Sequence, residues 1–219
     1  MDQEEFKKKW ENYWYYYKWH TIGGIFVILL IIFFVKDMVG KENFDATIMV
    51  AVSSYVDDSQ TAELGETLEQ YFPDIDGDGD VNLNMIPIFM EGGEGGEPSD
   101  VQYAYAMQVK MTSEISTNRM LVYLYDDGFT GIFIDEVGAR ELSQDFPDNP
   151  LVEGTVWDIA ASEIGKQTFI AEYEKQSGRK FYASIAGGGQ ITKEKDVATY
   201  ASVLEGFSNM VNNIRINEQ

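Results

Sequence analysis

The stretch from Ile22 to Val35 reads IGGIFVILLIIFFV and contains no polar side chain. A helix apolar on every side has no face to present to water, so such a segment must be surrounded by lipid or by a deep core. Counting from Trp19 to Val35 gives 17 residues, ~25 Å of helix, near the minimum for a bilayer core. Lys18 and Lys36 flank the run and can snorkel, and Val39 extends it. Trp10, Trp14, Tyr15, Tyr16, Tyr17 and Trp19 form the aromatic cluster favoured at a membrane interface. The polar leader is long and carries acids, and the run ends in VKDMVGKE rather than in a small-residue cleavage pattern. An uncleaved anchor is therefore expected in place of a signal peptide.

Charge sets the expected orientation. Lys7, Lys8, Lys9 and Lys18 precede the span, against Lys36 and Lys41 after it. More basic residues on one side favour the cytoplasm for that side. Residues 1–18 are thus expected as a cytoplasmic tail, 19–39 as a transmembrane helix, and 45–219 as an extracellular domain. Beyond residue 41 the chain has 10 bases and 32 acids, a net charge of -22. Such a surface repels nucleic acid and anionic lipid and suits cations or basic partners, or simply keeps the domain soluble in an ion-rich medium. The chain has no cysteine, which excludes disulfides and thiolate chemistry. Its one histidine, His20, lies beside the span, so the globular part has no His-based triad or His-rich metal site. An acidic, cysteine-free outer domain suits the surface of a Gram-positive bacterium.

Past the anchor, short apolar runs alternate with helical periodicity. ATIMVAV (46–52) reads as a buried strand, followed by a helix capped by Asp58 or Ser59, with Leu64, Leu68 and Tyr71 on one face. VNLNMIPI (81–88) reads as a second strand and EGGEGGEPSD (91–100) as a flexible acidic loop. A helix starting at Ser99 or Asp100 carries Ala104, Met107, Met111 and Ile115 at core spacing. MLVYLY (120–125) reads as a central strand. Weaker signals predict a helix over 136–145, a strand over 155–160 and a helix over 162–175. KFYASI (180–185) is a later strand, and the last helix buries Val197, Tyr200, Leu204, Phe207, Val211 and Ile214. This alternation predicts an α/β fold: a mostly parallel sheet flanked by helices, preceded by one N-terminal transmembrane helix.

The order of elements from Ala46 to about Leu142 resembles the first lobe of bacterial extracellular solute-binding proteins, which have a type II periplasmic-binding fold. The residues that carry it are a first strand ending in VSSY, the long helix of DDSQTAELGETLEQYFPD, the strand VNLNMIPI, the helix VQYAYAMQVKMTSEIS, the strand MLVYLYDD, and FTGIFIDE. The resemblance implies a membrane-anchored, truncated relative with one lobe. It implies a non-enzymatic binding or interaction module, beside a transporter or another membrane complex. In open parallel sheets a ligand sits at the carboxyl ends of the strands. That rule points to Ser53, Ser54 and Tyr55 after the first strand and to Asp126 and Asp127 after the third, which otherwise read as ordinary loop caps. Neighbouring acids such as Asp57 and Asp58, or Asp126 and Asp127, point apart in extended chain, and no nucleophile is paired with a base.

One further motif is FPDIDGDGDVN (72–82). In a calcium-loop frame, Asp74, Asp76 and Asp78 take positions 1, 3 and 5, Gly79 takes position 6, Asp80 position 7 and Asn82 position 9. Position 12, where a bidentate acid is needed, is Met85. The loop therefore fills part of a coordination sphere and needs a distant carboxylate or water to complete it. The competing reading is a plain Asp/Gly turn. A bound calcium ion would make the chain a calcium-stabilised structural or adhesion protein, the alternative to the binding module.

Overall fold

The computed structural model describes residues 3–39, 44–90, 101–117, 122–136, 138–189, 191 and 193–217. The chain divides into two compact units, Met1–Asn43 and Phe44–Gln219.

The first unit is one helix, α1 (Gln3–Val39). Within it, Trp10–Phe33 is long and apolar enough to cross a membrane, and none of those side chains is buried by protein. A core helix of a soluble domain would be covered, and this one is not. The helix also runs through most of the expected tail. Its aromatic residues pair one turn apart: Trp10 stacks on Trp14 at 6.2 Å and Tyr13 on Tyr17 at 5.5 Å.

The second unit is an α/β layer. Its elements are β1 (Ala46–Val52), α2 (Asp58–Glu69), β2 (Leu83–Phe89), α3 (Val101–Thr117), β3 (Val122–Asp126), β4 (Val152–Glu153), β5 (Val156–Trp157), α4 (Glu163–Gln167), α5 (Ile170–Ser177), β6 (Phe181–Ile185) and α6 (Glu194–Asn212). The sheet order is β2-β1-β3-β6-β5-β4. β1 pairs in parallel with both β2 and β3, as expected of strands joined by helical crossovers. The mostly parallel sheet expected is present in this half, and the other half departs from it. β6 lies antiparallel to β3 and to β5, and β4 antiparallel to β5. The sheet is therefore mixed, with β1, β2, β3 and β5 running one way and β6 and β4 the other.

Side chains on alternate residues feed two cores, one on each face. Ile48, Val50, Val52, Val122 and Leu124 join Leu64, Leu68, Tyr71 and Phe72 from the α2 region and Val203, Phe207 and Met210 of α6. Met49, Ala51, Tyr123 and Tyr125 face the other way, onto Met111 of α3 and onto Phe129 and Phe133. The period of two in β1 and β3, apolar on both faces, is the mark of a central strand. The methionines of α3 are core: Met111 is buried, and Met107 and Ile115 pack against the same cluster.

β2 is an edge strand, and it contains Pro87. Proline has no N–H to give to a ladder and is tolerated at an edge. The Pro87 carbonyl accepts from Lys110 Nζ at 3.2 Å. The opposite edge, β4, is two residues long.

Several local expectations change. Asp57, not Asp58 or Ser59, caps α2, because its side chain accepts from Ser59 N while Gln60 reaches back to the Asp57 N–H. The helix expected over 136–145 is absent from its described residues; a short wide-turned segment, Ile132–Glu136, precedes it, and Ala139 bridges to Ala186. The strand over 155–160 shortens to β5, paired with β4 across Gly154 in the left-handed region (φ 58°). The helix over 162–175 breaks at Thr168 into α4 and α5. In α6, Val197 is exposed, as is Ile214 just past its end, while Phe207 and Val211 are buried. The acidic segment 91–100, with the starts at Ser99 and Asp100, lies outside the described residues, as do Met120 and Leu121.

Candidate functional site

The carboxyl ends of β1 and β3 meet, as parallel neighbours must, and this brings Ser53 to Asp126. Asp126 is fully buried. Its Oδ1 accepts from Ser53 Oγ at 2.9 Å and from Gly128 N at 3.0 Å. Its Oδ2 accepts from Ser53 N at 2.6 Å and from Tyr173 OH at 2.5 Å. A carboxylate has about four acceptor positions, and the protein fills all of them. Tyr173 comes from α5, and its hydroxyl oxygen in turn accepts from Ser54 N at 3.1 Å. Burial, and then the Asp126 carboxylate, pushes the Tyr173 phenol well above its ordinary value, so it stays a neutral donor.

The arrangement is a lock between loops. Ser53 Oγ is held by a carboxylate that has no spare acceptor, so nothing beside it resembles a general base with a free lone pair. A ligand at these atoms would have to displace Tyr173. Gly128 is required: a Cβ there would lie 2.8 Å from Ser53 Oγ and 3.0 Å from both Arg179 Nη1 and Asp126 Oδ1. Asp127 points away, as alternation demands, and pairs with Arg179 Nη1 at 3.1 Å at the surface. Tyr55 is not part of the lock. It is 73% exposed, its ring edge-on to Phe89 at 5.9 Å.

The aspartate loop is a second candidate centre. Asp74 accepts from Gly77 N at 2.6 Å and Gly79 N at 3.0 Å, Asp76 from Asp78 N at 3.1 Å, and Asp78 from Asp80 N at 2.9 Å. Gly79, at the turn position of the motif, has φ 99°, which side-chain-bearing residues rarely adopt. Met85 lies in β2, so the loop indeed lacks its last ligand. Asp45, just before β1, brings a further carboxylate to the loop from outside the motif. Its buried carboxylate accepts from Ile75 N, Asp76 N and Asn82 N, which pins both ends of the loop. Asp45, Asp74 and Asp76 each offer an oxygen within 4.8 Å of the others. Two oxygens on one calcium ion lie at most ~5 Å apart, twice the bond length, so these three fit one ion. Asp78 and Asp80 are not in that group, and Asn82 takes part through its backbone. Partial desolvation, then the charges of Asp78, Asp45 and Asp74, push the Asp76 carboxyl above its ordinary value.

Sequence reasoning missed Tyr173, Gly128, Arg179 and Asp45. Tyr173, Arg179 and Asp45 have no local signature, since each acquires its role through a contact across the fold, whereas Gly128 bonds Asp126 two residues before it and is constrained by Ser53 and Arg179 from elsewhere. Two adjoining grooves, of about 570 and 220 Å³, run beside the end of α6 near Phe146–Pro150 and Ser162–Ile164, away from both centres. Comparison of the chain with protein-family models, curated proteins and solved structures finds no match.

Proposed function

We propose that the chain is a non-enzymatic, single-pass membrane protein whose α/β domain lies outside the cell and acts as a binding or interaction module. The reading takes the domain as similar to one lobe of a solute-binding protein. The observation that carries it is the lock at the strand ends. The position where an open α/β sheet usually meets its substrate is closed by Tyr173, and its carboxylate is saturated by internal donors. Recognition then falls to the outer surface, through partners in or near the membrane, such as a transporter or another membrane complex. The uncovered apolar stretch Trp10–Phe33 supports the anchor. Protease added outside intact cells tests the topology: cleavage of the domain is expected, and a domain protected until the cells are permeabilised overturns the reading.

A second reading, a structural or adhesion module steadied by calcium, is favoured by Asp45, the distant carboxylate that joins the loop. Calorimetry of the protein with calcium chloride tests it. Binding heat that disappears in Asp76→Asn is expected; a flat titration of the unaltered chain removes this reading.

A further inference from the structure

The surface next to the lock carries a row of aromatic rings. Tyr55 follows β1, Phe89 ends β2, and Tyr103 stands in the first turn of α3. The Tyr55 and Phe89 rings are 5.9 Å apart and at 89°, and those of Phe89 and Tyr103 are 6.2 Å apart and tilted by 51°. Tyr55 is 73% and Tyr103 45% exposed, and Val101 and Tyr105 extend the exposed surface along α3. A lone exposed aromatic residue is ordinary, whereas three in contact from three separate elements make a platform. The path along the three rings is about 12 Å, roughly the length of three to four residues of extended chain.

The acids beside the platform are unmatched by a free base among the described residues. Asp57 and Asp58 follow Tyr55 within three residues, and Arg179, on the Ser53 side, is paired with Asp127. Lys110 is directed onto the Pro87 carbonyl. Ring faces attract cations, and two rings at right angles present a corner into which an ammonium or guanidinium group fits. The surrounding acids attract the same groups at longer range and repel acidic ones.

From these two observations we infer that the Tyr55–Phe89–Tyr103 row docks an extended, lysine- or arginine-bearing segment of a protein partner. Cationic side chains seat against the rings, and Asp57 and Asp58 beside Tyr55 favour them. The inference rests on the reading of the domain as a binding module and gives that module a surface and a partner chemistry.

The test uses the purified full chain in detergent micelles and a fluorescent decapeptide of alternating lysine and glycine. Binding that weakens as salt rises is expected. Tyr55→Ser combined with Tyr103→Ser leaves the charge unchanged and is expected to weaken binding about tenfold, the loss of two ring–cation contacts. Tyr55→Ser alone, which alters a ring mostly in solvent, gives a smaller loss and covers the case in which the double variant does not fold. Equal affinity in these variants overturns the inference, because charge alone would then hold the peptide. Equal binding of the glutamate–glycine decapeptide, or preferential binding of the neutral glycan chitohexaose, also overturns it. The titration does not depend on where the domain lies in a cell. Its failure is therefore separable from protease protection, which bears on the topology alone.

Discussion

Asp126→Asn is the most informative single change in the domain, because the replacement keeps the shape and alters only charge and donors. An asparagine can point its oxygen toward one side of the lock at a time. With the oxygen toward Ser53 N and Tyr173, its NH2 faces the Gly128 N–H; turned round, it faces the Ser53 N–H, now 2.6 Å from Oδ2. Either way one buried backbone N–H loses its acceptor and meets a donor, and the remaining bonds lose their charge. Hydrogen bonds to a charged group contribute ~1.5–3 kcal/mol each, and an unsatisfied buried group costs ~1–3 kcal/mol. Relaxation of the Ser53 hydroxyl and the Tyr173 hydroxyl offsets part of this, leaving a loss of about 3 kcal/mol. With a urea slope of ~2 kcal/mol/M, the midpoint falls by about 1.5 M. Urea unfolding of residues 44–219, which carry both cores, followed by circular dichroism, measures it. Tyr173→Phe should cost less, and the double variant less than the sum, because the two groups share one network. A midpoint unchanged in Asp126→Asn would refute the lock as a structural device, and a raised one would mean that the buried carboxylate is strained for some other task.

Other outcomes follow from the same geometry. Burial holds the Tyr125 phenol up to about 12, with Ser184 opposing, and pushes Tyr123 and Tyr173 up as well. These tyrosines ionise earlier in the unfolded chain than in the folded one. Stability should therefore be level below pH ~10 and decline above it, by about 2 kcal/mol at pH 12 for Tyr125 alone; phenolate absorbance lagging behind that of the urea-unfolded chain checks this. Gly206→Ala sets a Cβ 2.3 Å from the Phe72 ring and should cost ~1–3 kcal/mol, whereas Gly65→Ala meets only the flexible Met85 side chain at 3.0 Å and should stay within ~1 kcal/mol of neutral; thermal unfolding separates the two. On the calcium reading, the ion at a hundredfold its Kd adds about 2.7 kcal/mol of stability, a gain that shrinks under acid as Asp76, whose carboxyl is held above its ordinary value, protonates; a chelator added to the unaltered chain should reverse it.

Much of the first half of the domain is legible in the sequence, for identifiable reasons. β1 and β3 are apolar at nearly every position, and the helices that follow β1 and β2 show a clear buried stripe, so parallel pairing, though not the order of strands in the sheet, follows from crossover length. β6 is as legible as a strand, but its direction is not. Whether a strand enters a sheet parallel or antiparallel depends on the path of the chain from Gly138 to Gly178, where two-residue strands and broken helices leave no periodicity to read. The sites divide in the same way. Ser53 and Asp126 come from a general rule about strand ends, and Asp74 and Asp76 from a motif. Tyr173 and Asp45 complete the two centres from 47 and 29 residues away along the chain, and a lone tyrosine on an amphipathic helix or a lone aspartate before a strand says nothing of its partner.

Pro87 in the edge strand has a consequence if the domain is tethered to a membrane, as proposed above. Tethering confines a domain to two dimensions, where copies of the same chain meet more often than they would free in solution. Repeated encounters between exposed strand edges are how sheets grow from one molecule into the next. Here one edge lacks a donor at its middle and has the carbonyl beside it occupied by Lys110, while the other edge offers two residues. On the anchored reading, neighbouring copies held close together are thereby hindered from zipping into a shared sheet. Replacing Pro87 with a strand-forming residue such as valine would remove that insulation, with little warning in the stability of the isolated domain.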